Sequence, residues 1–327
     1  MHPAFSVIFL TTLIGAGQGL FIALFSVESL GLLGLAPAQS GHFFALGSLV
    51  ALVLLGLGLL SSFFHLGRPE RAWRTATRWR TSWLSREVIV LPAFIGVVFL
   101  YGIAHWTAVN PVLGTLAGEH PVLSTVVLGV LGTVLALALF LSTAMIYAAV
   151  RFLQEWHSPL TVVNYTLLGA ASGFTLATAY AAWSGAALVA VLATVAIVLT
   201  LLGLASRVAS LVRNARIQPK STLQTAIGIK HPRIVQKSQG FMGGSFNTRE
   251  FFHHRSDRVL TTVKWTFLLA AFVIPTLLLA LGMMMTVDAT KVLLAAFVVQ
   301  YLGLLAERWF FFAQANHPQN LYYQSVA

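Results

Sequence analysis

Eight long apolar segments, separated by shorter polar connections, run through the chain. A helix that crosses a membrane needs about 20 consecutive, mostly apolar residues, and each segment reaches that length. They cover residues 5–34, 42–66, 87–109, 121–150, 162–183, 186–206, 263–286 and 291–313. This pattern predicts an all-α integral membrane protein, an eight-helix transmembrane bundle that could divide into two halves of four helices. We treat residues 1–327 as a single membrane-embedded domain.

Composition indicates that lipid, and not water, is the solvent for most of the surface. Charged residues make up 9% of the 327 residues, and the mean hydropathy is +0.83. Soluble domains carry about 25% charged residues. The first five residues lack the basic region of a cleaved signal peptide, so we expect the first helix to be retained. The chain has no cysteine, which excludes disulfides and cysteine-ligated iron–sulfur or zinc sites within it.

The positive charge is concentrated on one side of the predicted bundle. Of the 20 Lys and Arg residues, 19 fall at helix ends and connections that share one side, and only Lys291 lies opposite. The positive-inside rule makes that side cytoplasmic, together with both termini, in a bacterial cytoplasmic (inner) membrane. The net charge of +11 therefore reports topology and contact with anionic membrane lipid, not a nucleic-acid partner.

The first basic connection, residues 67–86, has the pattern of a short helix at the membrane surface. Arg71, Arg74 and Arg78 are spaced three and four apart, which would place them on one helix face. The tryptophans of this segment fit an aromatic belt at the interface: Trp73, Trp79 and Trp83. We predict a docking role for Arg74, Arg78 and Arg80. The alternative is that these arginines only bind lipid headgroups.

The second basic connection, residues 207–262, is far longer than a typical helix–helix loop. Residues 238–254 mix glycine with aromatic and basic side chains, among them Arg249, Phe251 and Phe252. Such a segment exposes apolar surface unless it packs on the bundle or on another protein. We predict that it docks a partner on the cytoplasmic side.

Two polar residues at the ends of apolar segments are candidates for proton chemistry. Glu87 opens the third predicted helix and His65 closes the second, so both should lie near the cytoplasmic boundary. Ionisable groups at membrane depth are functional candidates by default. A histidine and a carboxylate there suit quinone chemistry, which moves two electrons and two protons. The alternative is a cluster that merely anchors the helix ends.

Other polar residues carry weaker signals. Gln18 lies among the glycines of residues 15–19, which we expect to allow close helix packing. Gln18 could face a ligand, although an interhelical hydrogen bond is the favoured interpretation. Glu28 is expected near water at the outer end of the first helix, and Pro275 is expected to kink the seventh.

Paired histidines could hold haem, so we considered each of the ten histidines. None is predicted near the bilayer centre. His42 and His105 fall at the outer ends of the second and third helices and could ligate one haem together. Because interfacial histidines are usually solvated, we favour a chain without haem and without a metal site of its own.

Three stretches of the sequence carry a resemblance to a known family. They are residues 1–9 with 15–19, residues 65–69 with 71–73, and residues 78–87, which read Arg-Trp-Arg-Thr-Ser-Trp-Leu-Ser-Arg-Glu. With these motifs the chain resembles the dimethyl sulfoxide reductase membrane-anchor family over most of its length. The resemblance also agrees with the predicted count of eight helices.

The resemblance implies an electron-transfer function within a complex of three subunits. The partners would be a molybdopterin catalytic subunit and an iron–sulfur subunit with four clusters, and this chain would react with quinone (ubiquinone or menaquinone) without haem. His65 and Glu87 occupy the matching motif positions and would belong to the quinone site. The assignment of Arg71 to the quinone site is weaker, and those of Arg68 and Gln18 are weaker still.

Within that family, residues 243–252 make the chain most similar to the anchors of cytoplasmic sulfite dehydrogenases. We therefore expect electrons from sulfite oxidation to reduce quinone. One alternative is the reverse direction, a quinol-oxidising anchor of a dimethyl sulfoxide-type reductase. A secondary transporter is another, although transporters place broken helices and ionisable groups near the midplane. A purely structural membrane anchor is the third.

Overall fold

The computed structural model describes residues 2–116, 120–235, 237, 255–285 and 289–318. Eight helices in these residues are long and apolar enough to cross a membrane. They are α1 (Phe5–Leu32), α2 (Gly41–Phe63), α3 (Trp83–Thr107), α4 (Ser124–Ala148), α5 (Pro159–Trp183), α6 (Val189–Ala215), α7 (Asp257–Met284) and α8 (Ala289–Ala313). The predicted eight-helix membrane fold is confirmed. Most helix ends differ from the prediction by a few residues, whereas the end of α6 and the start of α7 differ by more.

Serine caps set the starts of three of these helices. The Oγ atoms of Ser40, Ser82 and Ser158 accept hydrogen bonds from backbone N–H groups in the first turns of α2, α3 and α5. Such caps satisfy donors that the helix itself leaves unpaired. At the α5–α6 connection, Gly185 adopts a φ of +71°, a conformation that favours glycine.

The helices form two four-membered rings. In the first half, α1 packs on α2 and α4, and α3 closes the ring between them. In the second half, α5 packs on α6 and α8, and α7 closes the ring. The two halves meet mainly along α1 and α5. The expected division into four helices plus four is therefore present in the packing.

Glycines allow α1 and α5 to approach closely. A Cβ atom on Gly19 would lie 2.5 Å from the carbonyl oxygen of Gly169, and one on Gly173 would lie 2.2 Å from the carbonyl carbon of Gly19. Inside a membrane, burying apolar side chains between helices gives no hydrophobic stabilisation, because lipid is equally apolar. Small residues stabilise the contact instead, because they let the two backbones pack closely. The packing role predicted for the glycines of residues 15–19 is confirmed.

Most connections are short, which makes successive helices antiparallel. Across the long α6–α7 connection, Arg207 late in α6 lies over the ring of Phe267 early in α7, so these two helices are antiparallel as well. One end of the bundle therefore collects the starts of α1, α3, α5 and α7 and the ends of α2, α4, α6 and α8. We call this end the basic face and the opposite end the far face.

Two structural details were not expected. Between α3 and α4, strand β1 (Val112–Leu116) pairs with strand β2 (His120–Leu123) as an antiparallel hairpin. In α7, residues Leu269–Val273 form a π turn directly before Pro275. Gln300 of α8 donates a hydrogen bond of 3.4 Å to the carbonyl of Ala271 in this turn. The helix was predicted to kink at Pro275, and the π turn lies just before this residue; π turns and prolines are both recognised causes of helix kinks.

The two basic connections are shorter than predicted. Residues 67–86 contain a 3₁₀ helix, Pro69–Arg78, and α3 already begins at Trp83. For residues 207–262, α6 continues to Ala215 and α7 begins at Asp257. Placing Arg207 in a loop was wrong, because an ion pair inside the bundle lets the helix continue past this charge. A one-turn helix, Leu223–Ile227, lies in the connection, and residues 238–254 fall outside the described part of the chain.

Candidate functional site

Glu87 lies near the start of α3 with its side chain inside the bundle. The Ser82 cap begins the helix, so Glu87 falls about one turn in from the basic face. Its side chain is buried, with 7% exposure. Its Oε1 atom accepts a hydrogen bond of 2.5 Å from the Oγ1 of Thr143 in α4. A buried carboxyl in a membrane helix is costly and marks a candidate functional site.

A small polar cavity of about 20 Å³ lies beside Glu87, and we call it the Glu87 cavity. Helices of both halves line it. Its polar lining consists of Thr11, Thr12, Gln18, Glu87, Thr143, Tyr165, Ser172 and Arg308. This volume suits about one water molecule. The cavity therefore brings an acid, several hydroxyls and a guanidinium together at the junction of the two halves.

Gln18 belongs to this cavity and also ties α1 to α4. Its Nε2 atom donates a hydrogen bond of 2.7 Å to the carbonyl oxygen of Ala136. The favoured interpretation of Gln18, an interhelical hydrogen bond, is confirmed. The same residue also lines the cavity.

A second group of charges lies next to the cavity, at the basic-face ends of α6 and α8. Arg207 Nε lies 2.7 Å from Glu307 Oε1, and Arg308 Nη2 lies 3.5 Å from Glu307 Oε2. All three side chains are buried. We call them the Arg207–Glu307–Arg308 triad. One carboxylate thus faces two guanidiniums, which leaves an excess positive charge beside Glu87.

Aromatic rings complete the environment of the triad. The guanidinium of Arg308 lies 3.7 Å from the centre of the Tyr165 ring. Arg207 lies 5.4 Å from the Phe267 ring centre and 5.9 Å from that of Phe310. Cation–π contacts of this kind stabilise desolvated arginines. They hold Arg308 in place at the cavity wall.

His65, by contrast, lies at the surface just beyond α2. Its backbone N–H donates to the carbonyl of Ser62, its side chain is exposed, and it is not among the residues that line the Glu87 cavity. Partial desolvation lowers the pKa of His65 below its ordinary value of 6.5, because burial disfavours the charged imidazolium. The structure therefore does not bring His65 and Glu87 into one cavity.

The other candidates from the first basic connection are exposed as well. Arg68 immediately precedes the 3₁₀ helix, and Arg71 forms a surface ion pair of 3.7 Å with Glu70. The arginines predicted to dock a partner lie on the exposed surface of the same segment: Arg74, Arg78 and Arg80.

Part of this arginine surface stacks on the neighbouring indoles. Arg74 lies 5.5 Å from the Trp73 ring centre, and Arg80 lies 5.2 Å from that of Trp79. Arg249, Phe251 and Phe252, the remaining docking candidates, lie outside the described residues.

Glu28 differs from expectation. We expected it near water, but its side chain is 6% exposed. Near the far-face end of α1 it accepts hydrogen bonds from Tyr101 Oη (2.7 Å) and Thr125 Oγ1 (2.6 Å). The Nε2 of His105 lies 3.4 Å from its Oε1. These partners on α3 and α4 give the carboxyl its hydrogen bonds inside the bundle.

The two histidines considered as haem ligands have different surroundings. His105 packs between Phe44 and Tyr101, with ring centres 4.6 Å from each, and is directed at Glu28. His42 packs on Trp106 at 5.3 Å. Among the described residues, no three His, Cys, Asp or Glu side chains are grouped so that they could hold a metal ion.

Sequence reasoning missed most of the groups that surround Glu87. Arg308 and Arg207 were counted only as topology signals, and Glu307, Thr143 and Tyr165 were not singled out. One signal was available: Glu307 and Arg308 stand together inside the apolar segment 291–313. Two adjacent charges at that depth point to buried partners.

Comparisons with known proteins agree with the resemblance carried by the motifs. The family described as DMSO reductase anchor subunit (DmsC) matches residues 1–314. The chain is also 59% identical to an Allochromatium vinosum protein named as a subunit of sulfite dehydrogenase, over 327 residues and 100% of both chains. Together with the eight membrane-spanning helices, these matches establish that the chain belongs to the DmsC family of membrane-anchor subunits.

Proposed function

We propose that this chain is the quinone-reactive anchor in a complex of three subunits that oxidises sulfite and reduces quinone. The observation that carries the proposal is Glu87, a buried carboxyl in a polar cavity between the two halves. Membership of an anchor family supports a place in an oxidoreductase complex. Full-length identity to a sulfite dehydrogenase subunit supports sulfite as the substrate of that complex. Sulfite itself would react on a molybdopterin subunit.

The groups around the Glu87 cavity suit the reduction of a quinone ring. Two electrons from the iron–sulfur subunit and two protons convert the quinone to a quinol. Glu87 would give a proton to one ring oxygen, while Thr143 holds the carboxyl in place. Arg308 would stabilise the negative charge that develops on a ring oxygen before it is protonated. Ubiquinone and menaquinone both present such oxygens.

The cavity must widen before a ring can bind. A space of about 20 Å³ holds about one water molecule, and a quinone ring is several times larger. The lining includes side chains of threonine, serine and leucine, which can change rotamer without unfolding a helix.

His65, Arg68 and Arg71 belong, in this proposal, to the path by which protons reach the site from water. His65 is exposed at the basic face, and its lowered pKa keeps the imidazole neutral near pH 7, ready to accept a proton. The neighbouring arginines would hold anionic or carbonyl groups near the membrane surface. Glu87 lies about one turn in from the basic face, so this is the side from which protons would reach it.

The basic face would be cytoplasmic and would carry the partner subunits. The positive-inside rule supports this orientation in a bacterial inner membrane, with membrane lipid around the helices. The exposed arginines of the 3₁₀ helix segment would contact the iron–sulfur subunit, which in the family carries four clusters. Residues 238–254 would add a second contact through Arg249, Phe251 and Phe252. Such docking places the electron donor on the side where Glu87 lies.

The same site could run in reverse as the quinol-oxidising anchor of a reductase. The description of the matching family, a DMSO reductase anchor, keeps this alternative open. Reversal changes the direction of electrons but not the roles of Glu87 and Arg308, because each proton step is retraced.

A quinone-coupled assay of the intact complex tests the proposal. In Glu87→Gln the acid is lost while the shape is kept, so sulfite-dependent quinone reduction should fall at least about a hundredfold, as expected when a general acid is removed. Glu28→Gln is the matched control, since it alters a second buried carboxyl at the far face, and should keep near-normal turnover. Normal turnover in Glu87→Gln, with assembly intact, would refute the assignment.

A further inference from the structure

An apolar groove of about 220 Å³ lies on the outside of the bundle, between the first turns of α1 and the last turns of α8. Helix α1 contributes Phe5, Ile8 and Phe9, and α8 contributes Ala306 and Trp309. Phe5 is 65% exposed and Phe9 is 39% exposed, so the groove opens toward the surroundings of the bundle. Its lining carries almost no polar surface. In a spanning bundle, such a groove faces lipid.

The groove and the Glu87 cavity are lined by neighbouring positions on the same two helices. On α8, Ala306 and Trp309 line the groove, whereas Arg308 lines the cavity. On α1, Ile8 lines the groove, whereas Thr12, about one turn further along, lines the cavity. The two spaces therefore adjoin along α1 and α8, and on α1 the groove lies about one turn nearer the basic face than the cavity.

Two contacts join the elements that line these spaces. Ile8 is fully buried and belongs to the same apolar cluster as Tyr165, a residue of the cavity wall. The hydroxyl groups of Thr12 and Tyr301 form a hydrogen bond of 3.1 Å that joins α1 to α8. A single neutral hydrogen bond contributes little net stability. A ligand that binds on both sides could displace these side chains.

We propose that this groove binds the isoprenoid tail of the quinone, and that the ring reaches the Glu87 cavity from lipid between α1 and α8. The inference rests on the proposed function. A quinone has a polar ring joined to a long apolar tail, and here a polar cavity adjoins an apolar groove that opens to lipid. A phospholipid chain would also fit an apolar groove, but its charged headgroup would not bind in the adjacent Glu87 cavity. The adjacency therefore favours the quinone.

Filling the groove tests this assignment in the intact complex. Ala306→Phe should block the tail, while Ala295→Phe places the same ring on an exposed site of α8 away from the groove and is the matched control. Each buried methylene strengthens binding by roughly fourfold. We therefore expect Ala306→Phe to raise the KM for a ubiquinone with two isoprene units by about tenfold or more, and to leave the KM for the ring without a tail within about twofold.

The result separates this inference from the proposed function. An unchanged KM for the tailed quinone in Ala306→Phe overturns the tail site, even if Glu87→Gln abolishes turnover. An equal rise for both quinones also overturns it, because the damage would then lie at the ring site. Loss of turnover confined to Glu87→Gln upholds the proposed function alone.

A second measurement does not depend on a variant that folds. A quinone with a photoreactive group in its tail should label peptides that contain Phe9 or Trp309 in the wild-type complex, and excess untagged quinone should prevent the labelling. Labelling elsewhere contradicts the assignment. Labelling of these peptides that phospholipid prevents and quinone does not would assign the groove to lipid and overturn the proposal.

Discussion

Glu307 is the residue on which the buried charges of the second half depend. It lies between Arg207 and Arg308 at 2.7 and 3.5 Å, deep enough that its side chain is only 1% exposed. Two guanidiniums without this carboxylate would be uncompensated positive charges in a low-dielectric interior. Breaking this buried pair should therefore cost far more stability than breaking the surface pair between Arg71 and Glu70.

Glu307→Gln should therefore destabilise the protein by about 3–5 kcal/mol, the usual cost of breaking a buried ion pair. Glu70→Gln, which breaks the exposed pair, should cost less than about 1 kcal/mol. Thermal unfolding of both variants in the same detergent checks the difference. Equal midpoints would show that the triad does not hold α6 and α8 together.

His65 should give quinone turnover a pH dependence. Its pKa lies below 6.5, and on a path that delivers protons to Glu87 the protonated imidazolium is the form that donates, so turnover should rise as the pH falls through that lowered value. In His65→Gln this rise should disappear and leave a lower, flatter profile. A pH profile of turnover measures the effect, and an identical rise in the variant would exclude His65 from the proton path.

The site was only partly predictable because its members come from distant segments. Glu87 could be found from sequence, since a carboxyl at the start of an apolar segment stands out. The pairing of Arg207 with Glu307 could not, because each charge was read as the edge of a helix and nothing local indicates a partner across the bundle. Burial of Glu28 was missed for the same reason: its hydroxyl partners lie on α3 and α4.

At the scale of elements, the contact between α1 and α5 holds the two halves together. Gly19 and Gly173 face each other there with no room for a Cβ atom. The same contact brings the α1 threonines and Tyr165 of α5 to a common cavity. Backbone proximity at these glycines therefore sets the geometry of the candidate site.

Gly173→Ala should push α1 and α5 apart and destabilise the bundle by about 1–3 kcal/mol, as overpacking does. Gly56→Ala on α2 is the control, because its new Cβ would meet open space, and alanine in a helix is intrinsically better than glycine by about 1 kcal/mol. Thermal unfolding should separate the two variants in opposite directions. A stabilised Gly173→Ala variant would show that the close approach is not required.

The helices themselves were predictable from hydropathy because spanning a membrane demands long apolar runs. Their ends were less so: α6 continues past Arg207 to Ala215, since the Glu307 carboxylate neutralises a charge that otherwise signals a loop. The hairpin of β1 and β2 was not predictable, because its few residues show no strong alternation of apolar and polar side chains. The π turn of α7 was signalled only indirectly, by Pro275.

At the scale of the whole molecule, the candidate chemistry lies where two similar four-helix rings meet. Helices α1, α3 and α4 of the first half and α5 and α8 of the second contribute to the Glu87 cavity. The far-face end of the first half carries a second buried acid, Glu28, but between the two acids Phe21 packs on Phe94 and Tyr101 at 5.5 and 5.3 Å. This aromatic layer separates the acids, so the proton chemistry of quinone is expected to use the basic face.

The measurement closest to the central claim is redox-induced infrared difference spectroscopy of the intact complex. If Glu87 exchanges a proton with quinone, reduction should produce a carboxyl C=O signal that Glu87→Gln removes and Glu28→Gln retains. The same carboxyl signal in Glu87→Gln as in the wild type would contradict the account, because the proton would then come from another group.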